Sequence, residues 1–200
     1  MTTYINQMMK RINHAPFRRC FIVSDFTDIM DYETSKKSIA RLEKNGFLRR
    51  IIRGIYDKPT FSKLLNEYIV PDIHEVALAI ARNYNWTIAP SGNTALNLLG
   101  LSTQVPTKWE YISTGPYRSY KIGNTELHFI HRANKTIEGM SSITALVVGA
   151  LRAIGKKEVD DKTIMKLRNR LTKADKEKLL SETRQTTSWI YSSIKKICND

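Results

Sequence analysis

Apolar residues near the N-terminus recur at intervals of three and four positions, the spacing that places them on one face of a helix. These residues are Ile5, Met8, Met9 and Ile12. The pattern predicts an amphipathic helix over residues 3 to 13, whose apolar face packs beneath the helices that follow. A proline at position 16 interrupts it.

A pair of helices is predicted next. Ser24 suits an N-cap, and the acidic residues after it favour the positive end of a helix dipole. The second helix runs from Glu33 to Asn45 without proline or glycine and stops at Gly46, the residue type favoured just past a helix end. Ile39 and Leu42 lie on one face of this helix, so that face packs and the other is open to water.

A basic β-hairpin follows the helix pair. The runs Phe47 to Ile52 and Ile55 to Asp57 flank Arg53-Gly54, which is typical of a strand, a tight turn and a strand. The short run Phe21-Ile22-Val23 is compatible with a third strand beside them. The order helix, helix, hairpin predicts a winged helix-turn-helix.

Beyond the hairpin the pattern indicates a connector and a second domain. Residues 59 to 71 carry apolar side chains at helical spacing between two prolines, and predict a linker helix. A further helix is predicted from 72 to 84. Alternating apolar and polar residues between 86 and 132, with Gly123-Asn124 between two runs, predict a mostly antiparallel sheet. Helices are predicted from residue 141 onwards.

Together these elements predict an α+β protein. Residues 1 to 58 form an N-terminal winged helix-turn-helix domain, residues 59 to 71 a linker, and residues 72 to 200 a mixed α/β domain with an antiparallel sheet and C-terminal helices. A hydrophobic content of 42% is ordinary for a chain that buries a core.

Charge narrows the class of partner. The net charge of +13 and the pI near 9.8 favour a polyanion. No apolar run has the length of a membrane span, so nucleic acid is favoured over a membrane. The first residues lack the pattern of a signal peptide, and Cys20 and Cys198 lack metal-ligand spacing. We therefore expect a cytoplasmic protein with reduced thiols and no membrane contact.

The charge is one-sided in the predicted helix-turn-helix. Residues 34 to 58 hold eight basic side chains and only two acidic ones. A helix of this kind fits the major groove, where exposed residues reach base edges while lysine and arginine neutralise phosphates. The competing interpretation is a solvated charged face. The candidate DNA contacts are Thr34, Ser35, Lys36, Lys37, Arg41 and Lys44 in the helix, and Arg49, Arg50 and Arg53 in the hairpin.

Basic residues also recur at helix-compatible spacing after residue 155. A second nucleic-acid surface, which would contact phosphates without reading sequence, and a solvated face explain this pattern equally well. The residues concerned are Lys156, Lys157, Lys162, Lys166, Arg170 and Lys173.

Catalytic motifs are absent from the sequence. No Walker A loop, His-Glu-x-x-His or Gly-x-Ser-x-Gly motif occurs. Pro71-Asp72 with Asp160-Asp161-Lys162 superficially fits a nuclease pattern, but the second part lies in polar, helix-starting sequence. His128 and His131 point to opposite faces of one strand, so they cannot readily chelate one metal. We therefore predict no catalytic residue, no metal and no cofactor.

A short polar loop stands before a helix in the second domain. Ser91-Gly92-Asn93 has two interpretations: a loop that contacts phosphate or RNA through free backbone N–H groups, or a simple N-cap. The N-cap is the commoner role for such residues.

The segment that begins at this loop also resembles a known family. Its residues are similar to the second domain of AbiEi-type antitoxins, the antitoxin half of type IV toxin–antitoxin or abortive-infection systems. The matching positions are Pro90-Ser91-Gly92, Ala95-Leu96-Asn97, Leu99-Gly100-Leu101, Gln104 and Pro106, followed by Tyr111-Ile112-Ser113-Thr114-Gly115.

The resemblance implies a function that the residue pattern alone does not. It implies a bacterial protein whose N-terminal winged helix represses its own operon, often by meeting inverted repeats in double-stranded DNA. It further implies that the second domain counteracts a nucleotidyltransferase-like toxin without a stable complex. Carried to this chain, the DNA-reading positions are Thr34 to Lys44 with Arg49, Arg50 and Arg53, and no residue is matched to antitoxin activity.

Two other functions stay open at the level of sequence. One is a plain winged-helix transcriptional regulator whose second domain senses a ligand or dimerises. The other is an RNA-binding or nuclease-like enzyme, which metal-dependent cleavage of nucleic acid would support.

Overall fold

The chain folds as two units, Met1–Trp86 and Thr87–Asp200, in a computed structural model that describes residues 3–132 and 139–199. Helices and strands contribute to both units, which confirms the predicted α+β class. The predicted domain boundary lay between residues 59 and 71, whereas the division between the units follows Trp86.

The first unit contains three α-helices, one 3-10 helix and five short strands among its described residues. In chain order they are α1 (Thr3–His14), β1 (Cys20–Phe21), the 3-10 helix η1 (Val23–Phe26), α2 (Tyr32–Lys44), β2 (Arg49–Ile52), β3 (Ile55–Asp57), β4 (Phe61–Ser62), β5 (Glu67–Tyr68) and α3 (Ile73–Tyr84). Strands β1, β3 and β2 form one antiparallel sheet in that order, and β4 pairs with β5 in a second.

One apolar core holds the first helices against the three-stranded sheet. Met8 and Ile12 of α1 are buried, as the spacing of apolar residues predicted, and they share a cluster with Ile39 and Leu42 of α2. Phe26 is fully buried beneath α2 in the same cluster. The packed face of α2 therefore points into this core, which leaves its opposite face to solvent.

The first member of the predicted helix pair is not an α-helix. Residues 23–26 form a 3-10 helix whose N–H groups bond three positions back, as in the Asp25 to Ile22 bond of 3.2 Å. The physical reason is that Asp25 turns inward as an acceptor: its Oδ2 receives the N–H of Ile22 at 3.0 Å. An acidic residue predicted to serve the helix dipole instead closes a tighter turn.

The segment predicted as a linker helix is a β-hairpin. Phe61 pairs with Tyr68 across β4 and β5, and their rings meet edge to face at 5.4 Å between centroids. The turn is closed because Ser62 Oγ accepts the N–H of Leu65 at 3.2 Å and Asn66 adopts a left-handed φ of 54°. Local turn chemistry therefore overrode the helical spacing of the apolar residues.

Helix α3 belongs to the first unit rather than the second. Its buried side includes Val76, Ala77 and Ile80. Its Arg82 donates through Nη2 to the carbonyl oxygen of Cys20 at 2.9 Å, which fixes the helix to strand β1. These contacts explain why the division between the units comes after α3.

A buried ion pair joins the two strands of the basic hairpin. The Asp57 side chain is only 6% exposed, and Arg49 binds it in a bidentate manner, with distances of 3.0 Å from Nε to Oδ1 and 2.5 Å from Nη2 to Oδ2. The same Nη2 donates to the carbonyl oxygen of Ile69 at 3.1 Å. Arg49 therefore links β2, β3 and the base of the β4–β5 hairpin.

The neighbouring Cys20 thiol has a raised pKa in this arrangement. Cys20 is paired with Asp57 across β1 and β3 and is fully buried. Burial, together with the negative charge of Asp57, raises the pKa of the Cys20 thiol to about 12.

The second unit has a four-stranded sheet covered by helices. Its elements are β6 (Ile88–Pro90), α4 (Gly92–Leu98), β7 (Lys108–Ser113), β8 (Arg118–Ile122), β9 (Thr125–His131), α5 (Ser142–Ile154), α6 (Asp161–Arg170), α7 (Lys173–Glu182) and α8 (Ser188–Cys198). The strand order is β6-β7-β9-β8, with β7 and β9 parallel and the other neighbours antiparallel. The mostly antiparallel sheet and the tight turn at Gly123-Asn124 are thus confirmed.

Helix α5 packs tightly on the start of this sheet. A Cβ atom added at Gly149 would lie 2.4 Å from the carbonyl oxygen of Pro90, so only glycine permits the approach. Val147, Val148 and Leu151 of the same helix enter an apolar core shared with α4 and the C-terminal helices. The C-terminal helices therefore complete the second unit rather than form a separate tail.

The Arg49–Asp57 pair generates a stability prediction. In Arg49→Gln the Asp57 carboxylate stays buried without its cation, and we expect the free energy of unfolding of the first unit to fall by about 3 kcal/mol. This is the low end of the range for a broken buried pair, because Arg49 is partly exposed. Native-state hydrogen exchange of the β2 and β3 amides measures this loss. Arg50→Gln, at the exposed neighbouring position, is the matched control, and an equal loss there would contradict the assignment.

Candidate nucleic-acid interface

The exposed face of α2 carries the basic residues that the sequence singled out. Thr34, Lys37, Arg41 and Lys44 are all exposed, at spacings that place them on one side of the helix. Ala40 is exposed among them, and its small side chain leaves room for a close approach. Within the described residues, Lys37, Arg41 and Lys44 form no salt bridge, so their charge is directed to solvent.

Lys36 lies beside this face and is partly neutralised. Its Nζ lies 3.8 Å from Glu33 Oε1 one turn earlier in the helix, and both side chains are more than half exposed. A surface pair of this kind contributes roughly 0 to 1 kcal/mol, so it does not prevent Lys36 from meeting another anion.

The N-terminus of α2 is defined by a polar cap. Asp31 Oδ1 accepts the N–H of Thr34 at 2.9 Å, and hydrogen bonds from the Thr34 side chain and N–H lower the pKa of the Asp31 carboxyl. Tyr32 follows directly and is 52% exposed in the first turn. The cap at Asp31 therefore places Tyr32 at the start of the helix, outside the set of residues that the sequence singled out.

One predicted contact residue is buried. Ser35 has no exposed surface, and its Oγ donates to the carbonyl oxygens of Met30 at 3.2 Å and Phe26 at 3.4 Å. The hydroxyl therefore ties α2 to the turn before it and does not reach the solvent face. Ser35 is therefore no longer a candidate DNA contact. It is one position away from the exposed Thr34, and its side chain points toward the core.

The basic hairpin divides into one structural and two exposed arginines. Arg49 donates hydrogen bonds to the Asp57 carboxylate and to the Ile69 carbonyl, so its charge is paired within the fold. Arg50 and Arg53 are exposed. Gly54 has a φ of 84° in the two-residue turn, and its position allows Arg53 to stand at the tip. Within the described part of the chain, the predicted wing thus presents the guanidinium groups of Arg50 and Arg53 to solvent, while that of Arg49 is bound inside the fold.

The hairpin and α2 share the first core. Tyr56 of β3 packs against the cluster that contains Ile39 and Leu42 of α2. The N–H groups of Phe47 and Leu48 donate to the carbonyl oxygen of Leu42 at 2.9 and 3.1 Å, which fixes the start of β2 to the end of α2. The exposed arginines and the α2 face are therefore carried by one packed scaffold.

An arginine of α1 braces the turn that leads into α2. Arg11 donates to both carboxylate oxygens of Asp28 and to the carbonyl oxygen of Asp25, each at 2.6 Å. The Asp28 carboxyl consequently has a pKa below its usual range, chiefly because of the hydrogen bond from Arg11. This pair holds the position of the segment before α2.

The second basic set divides in a similar way. All six predicted residues, from Lys156 to Lys173, are exposed. Arg170 donates to the carbonyl oxygen of Leu98 at 3.1 Å, where it satisfies the end of helix α4. Lys156 lines a polar cleft of about 370 Å³ between α6 and α8, together with Trp189 and Lys196. Lys162 and Lys166 stand on the open face of α6.

The loop at Ser91-Gly92-Asn93 lies beside an open cavity. Ser91 occupies the N-cap position of α4, yet its Oγ donates to the carbonyl oxygen of Glu110 at 3.3 Å instead of capping the helix. The cavity has a volume of about 270 Å³, an apolar floor that includes Met140 and Val148, and Arg132 and Arg152 in its lining. It is slightly smaller than typical small-molecule sites, and two cationic groups line it.

The residues that superficially matched a nuclease pattern have structural partners. Asp72 caps α3 by accepting the N–H of His74 at 2.9 Å, and Asp160 caps α6 by accepting the N–H of Thr163 at 2.8 Å. His128 bonds to Ser119 and Glu126, both at 2.9 Å. No group of three histidine, cysteine, aspartate or glutamate side chains within the described ranges is arranged to hold a metal ion.

Comparison with known proteins identifies a family but no activity. Residues 7–179 match the model of DUF6088, a family of unknown function. No curated protein matches the sequence. The crystal structure of the RV2827C protein from Mycobacterium tuberculosis is similar at a TM-score of 0.42 and 13% sequence identity, over 99% of this chain and 77% of that one. In residues 3–132 and 139–199, no helix combines the length and apolar character needed to cross a membrane.

The Arg11–Asp28 pair predicts a pH dependence. The folded-state pKa of Asp28 is lowered from an unfolded value of about 3.9. The pair therefore stabilises the fold above about pH 4, and this contribution is lost as the pH falls through the folded pKa. Carboxyl NMR titration should give Asp28 a pKa below that of a free aspartate, and in Arg11→Gln the value should return toward the free one. Unchanged Asp28 titration in the variant would refute the contact.

Proposed function

This chain belongs to the DUF6088 family of unknown function, and from that starting point we propose that it is a sequence-reading DNA-binding repressor of its own operon and an antitoxin of a type IV, AbiE-like system. The proposal has two parts, each assigned to one unit. The first unit binds double-stranded DNA, and the second counteracts a nucleotidyltransferase-type toxin. A cytoplasmic location and action without an enzymatic step are part of the proposal.

The order of elements in the first unit supports a winged helix. The sequence α1, β1, η1, α2, β2, β3 with the sheet order β1-β3-β2 is the arrangement in which a second helix follows a turn and a hairpin stands beside it. In such folds the second helix enters the major groove and the hairpin contacts the flanking backbone. Here α2 would read bases and the β2–β3 hairpin would be the wing.

The observation that carries the proposal is the division of α2 into two faces. One face packs into the apolar core through Ile39 and Leu42, while the other presents Lys37, Arg41 and Lys44 without acidic partners among the described residues. Every surface helix that packs on a core has an apolar and a polar face, so the feature that supports DNA binding is the lack of acidic partners beside these three cations in the described chain. An unneutralised cationic face fits the regular phosphates of a duplex.

Specificity would come from the first two turns of α2. Tyr32, Thr34 and Lys37 are exposed there, where a docked helix brings its residues to base edges. Lys44, Arg50 and Arg53 lie where they would contact phosphates and set the register of the protein on DNA. Arg49 and Ser35 have no part in this contact because their polar groups are used within the fold.

The antitoxin role rests on the resemblance carried by residues 90 to 115. In the structure these residues build strand β6, helix α4 and strand β7, which pack on α5. Ala95, Leu99 and Tyr111 of this stretch are buried, whereas the loop that carries Gln104 is exposed, so the apolar positions of the motif have a packing role that is compatible with a shared domain. The second unit would counteract the toxin without forming a stable complex with it.

A ligand-sensing regulator is the second candidate. The cavity beside Ser91 favours it, because two arginines in its lining could bind an anionic metabolite while the apolar floor holds the rest of the molecule. The DNA-binding part of the proposal is common to both candidates, and a toxin gene beside this one separates them.

We predict that Lys37→Ala with Arg41→Ala weakens binding to the upstream DNA of the operon and reduces the slope of log affinity against log salt concentration by about 2. Thermal stability should stay nearly unchanged, because both side chains are exposed. Gel-shift titration against the upstream duplex and a scrambled duplex, at two salt concentrations, measures both effects. The variant Lys121→Ala with Lys178→Ala is the matched control, because both lysines are exposed in the second unit and lie outside both candidate surfaces.

The gel-shift result has two decisive outcomes. A preference for the upstream DNA that survives the higher salt supports a repressor that reads sequence. Equal binding to both duplexes that vanishes at the higher salt concentration would refute the proposal. The net charge of +13 would then explain only a general affinity for polyanions.

The antitoxin role predicts separable functions. When the neighbouring toxin is expressed, the full chain with Lys37→Ala and Arg41→Ala should still restore growth, because the substitutions lie in the first unit. Growth is measured with the protein supplied from an unrelated promoter, so that loss of autorepression has no influence. Loss of rescue by this folded variant would show that antitoxicity depends on DNA binding.

A further inference from the structure

The cavity in the second unit, between helix α5 and the sheet, has the composition of a binding site for a small anion. Its volume is about 270 Å³, and it is lined by both apolar side chains and arginines. The residues that give it this character are Ile112, Met140, Val148, Arg132 and Arg152. None of the residues that line it in the described chain is acidic.

Small residues on helix α5 leave this space open. Ala145, Gly149 and Ala153 recur every four positions on one side of the helix, and all three line the cavity. Gly149 lies so close to strand β6 that an added Cβ atom would be 2.4 Å from the carbonyl oxygen of Pro90. Ala145 belongs to a small apolar cluster against which Ile112 of β7 packs. The packing of α5 on the sheet therefore fixes the walls of the cavity.

Two arginines reach the cavity from separate elements. Arg152 lies in the last turn of α5, and Arg132 directly follows strand β9. Both are exposed, and neither forms a salt bridge within the described ranges. Arg132 Nη1 donates to the carbonyl oxygen of the adjacent His131 at 3.3 Å. A guanidinium group has five N–H donors in a planar fork that fits the oxygens of a carboxylate or a phosphate.

The helix dipole alone explains a cation in the last turn of α5. It does not explain a second cation at the same cavity, because Arg132 belongs to another element. A carboxylate also lies near the cavity, since a Cβ atom added at Gly92 would be 3.2 Å from Glu110 Oε2. The Oε1 atom of Glu110 is bound by Lys108 Nζ at 2.9 Å, so this charge is already paired. The cavity therefore keeps a net positive charge.

The polar groups of the lining restrict the ligand further. Ser91 supplies the hydroxyl of the described lining, and its Oγ already donates to the Glu110 carbonyl oxygen at 3.3 Å. The apolar floor offers no side-chain N–H or O–H group, so the buried polar atoms of a sugar or a nucleobase would lack partners there. An aliphatic chain has no such requirement, and its burial is favourable.

We propose that this cavity binds a small organic anion in which a carboxylate or a phosphate is joined to a short aliphatic chain. The anionic group lies between Arg132 and Arg152, and the chain packs on Ile112, Met140 and Val148. At roughly 30 Å³ for each non-hydrogen atom, the share of one molecule in liquid water, about 270 Å³ holds about nine atoms, which is close to the size of hexanoate. The proposal names a ligand class for the ligand-sensing candidate, and its regulatory meaning rests on that candidate.

Titration of the full chain with hexanoate, followed by the backbone amide NMR signals, tests the site. The signals of Gly92, Gly149 and Ala153 should shift together, with a dissociation constant on the order of a millimolar or below for so small a ligand. Acetate has the charge without the chain, and hexanol has the chain without the charge, so each should bind at least tenfold more weakly. Butyrate should also bind at least tenfold more weakly, because each methylene contributes about fourfold. Decanoate exceeds the cavity and should gain little over hexanoate.

Two substitutions separate the site from the general charge of the chain. Arg152→Gln removes one of the two cations, and Ala153→Leu fills part of the cavity, so each should weaken hexanoate binding at least tenfold. Both positions are exposed, and circular dichroism should show an unchanged fold. Arg184→Gln is the matched control, since Arg184 is exposed in the second unit and does not line the cavity. It should bind hexanoate like the unaltered chain.

The outcomes are distinct. Equal affinity for acetate and hexanoate would mean only a general attraction of anions, and equal affinity for hexanol and hexanoate would mean an apolar cavity that does not recognise charge. Either result, or unchanged binding by Arg152→Gln, would overturn the proposal. Hexyl phosphate that binds at least tenfold more tightly than hexanoate supports a phosphate ligand, whereas equal affinity supports a carboxylate. These titrations contain neither DNA nor toxin, so their failure would leave the repressor and antitoxin proposals standing.

Discussion

The first unit depends on the need to neutralise one buried carboxylate. Asp57 lies in the central strand of a three-stranded sheet with almost no access to water, and a charge in that position is tolerated only with a fixed partner. Arg49 is that partner, and its Nη2 also donates to the backbone carbonyl of Ile69 at the base of the next hairpin. One guanidinium group therefore sets the pairing of β2 with β3, and it also anchors the base of the segment that follows.

This constraint explains why the number of basic residues in a sequence overstates the number available to a partner. Arg11, Arg49, Arg82 and Arg170 each bind a carboxylate or carbonyl of the fold. Among the described residues, Lys37, Lys44, Arg50 and Arg53 form no such bond, and Lys36 has only its surface pair with Glu33. Arginine builds the scaffold because its planar group satisfies several acceptors at once, and the exposed charges are then displayed from a rigid surface.

The sequence was sufficient for the features that depend on periodicity. Helices α1 and α2, the β2–β3 hairpin and the turn at Gly123-Asn124 all follow from apolar spacing and glycine placement. The sequence failed where a short polar side chain decides between two local structures. Asp25 closes a 3-10 turn, Ser62 closes the β4–β5 turn, and Ser35 turns inward, and each outcome depends on a hydrogen bond that spacing does not reveal. The ion pair of Arg49 with Asp57 could likewise not be predicted from spacing, because Asp57 is eight residues away on the neighbouring strand.

The burial of Cys20 has a consequence for redox chemistry. With its thiol pKa raised to about 12, only about one molecule in 10⁵ carries the reactive thiolate at pH 7. Oxidants and alkylating reagents act on the thiolate, so this cysteine is chemically silent although it lies in strand β1, next to the ion pair that holds the basic hairpin. Oxidation of this thiol therefore requires strand β1 to open first, so Cys20 does not make the basic hairpin sensitive to oxidants while the unit is folded.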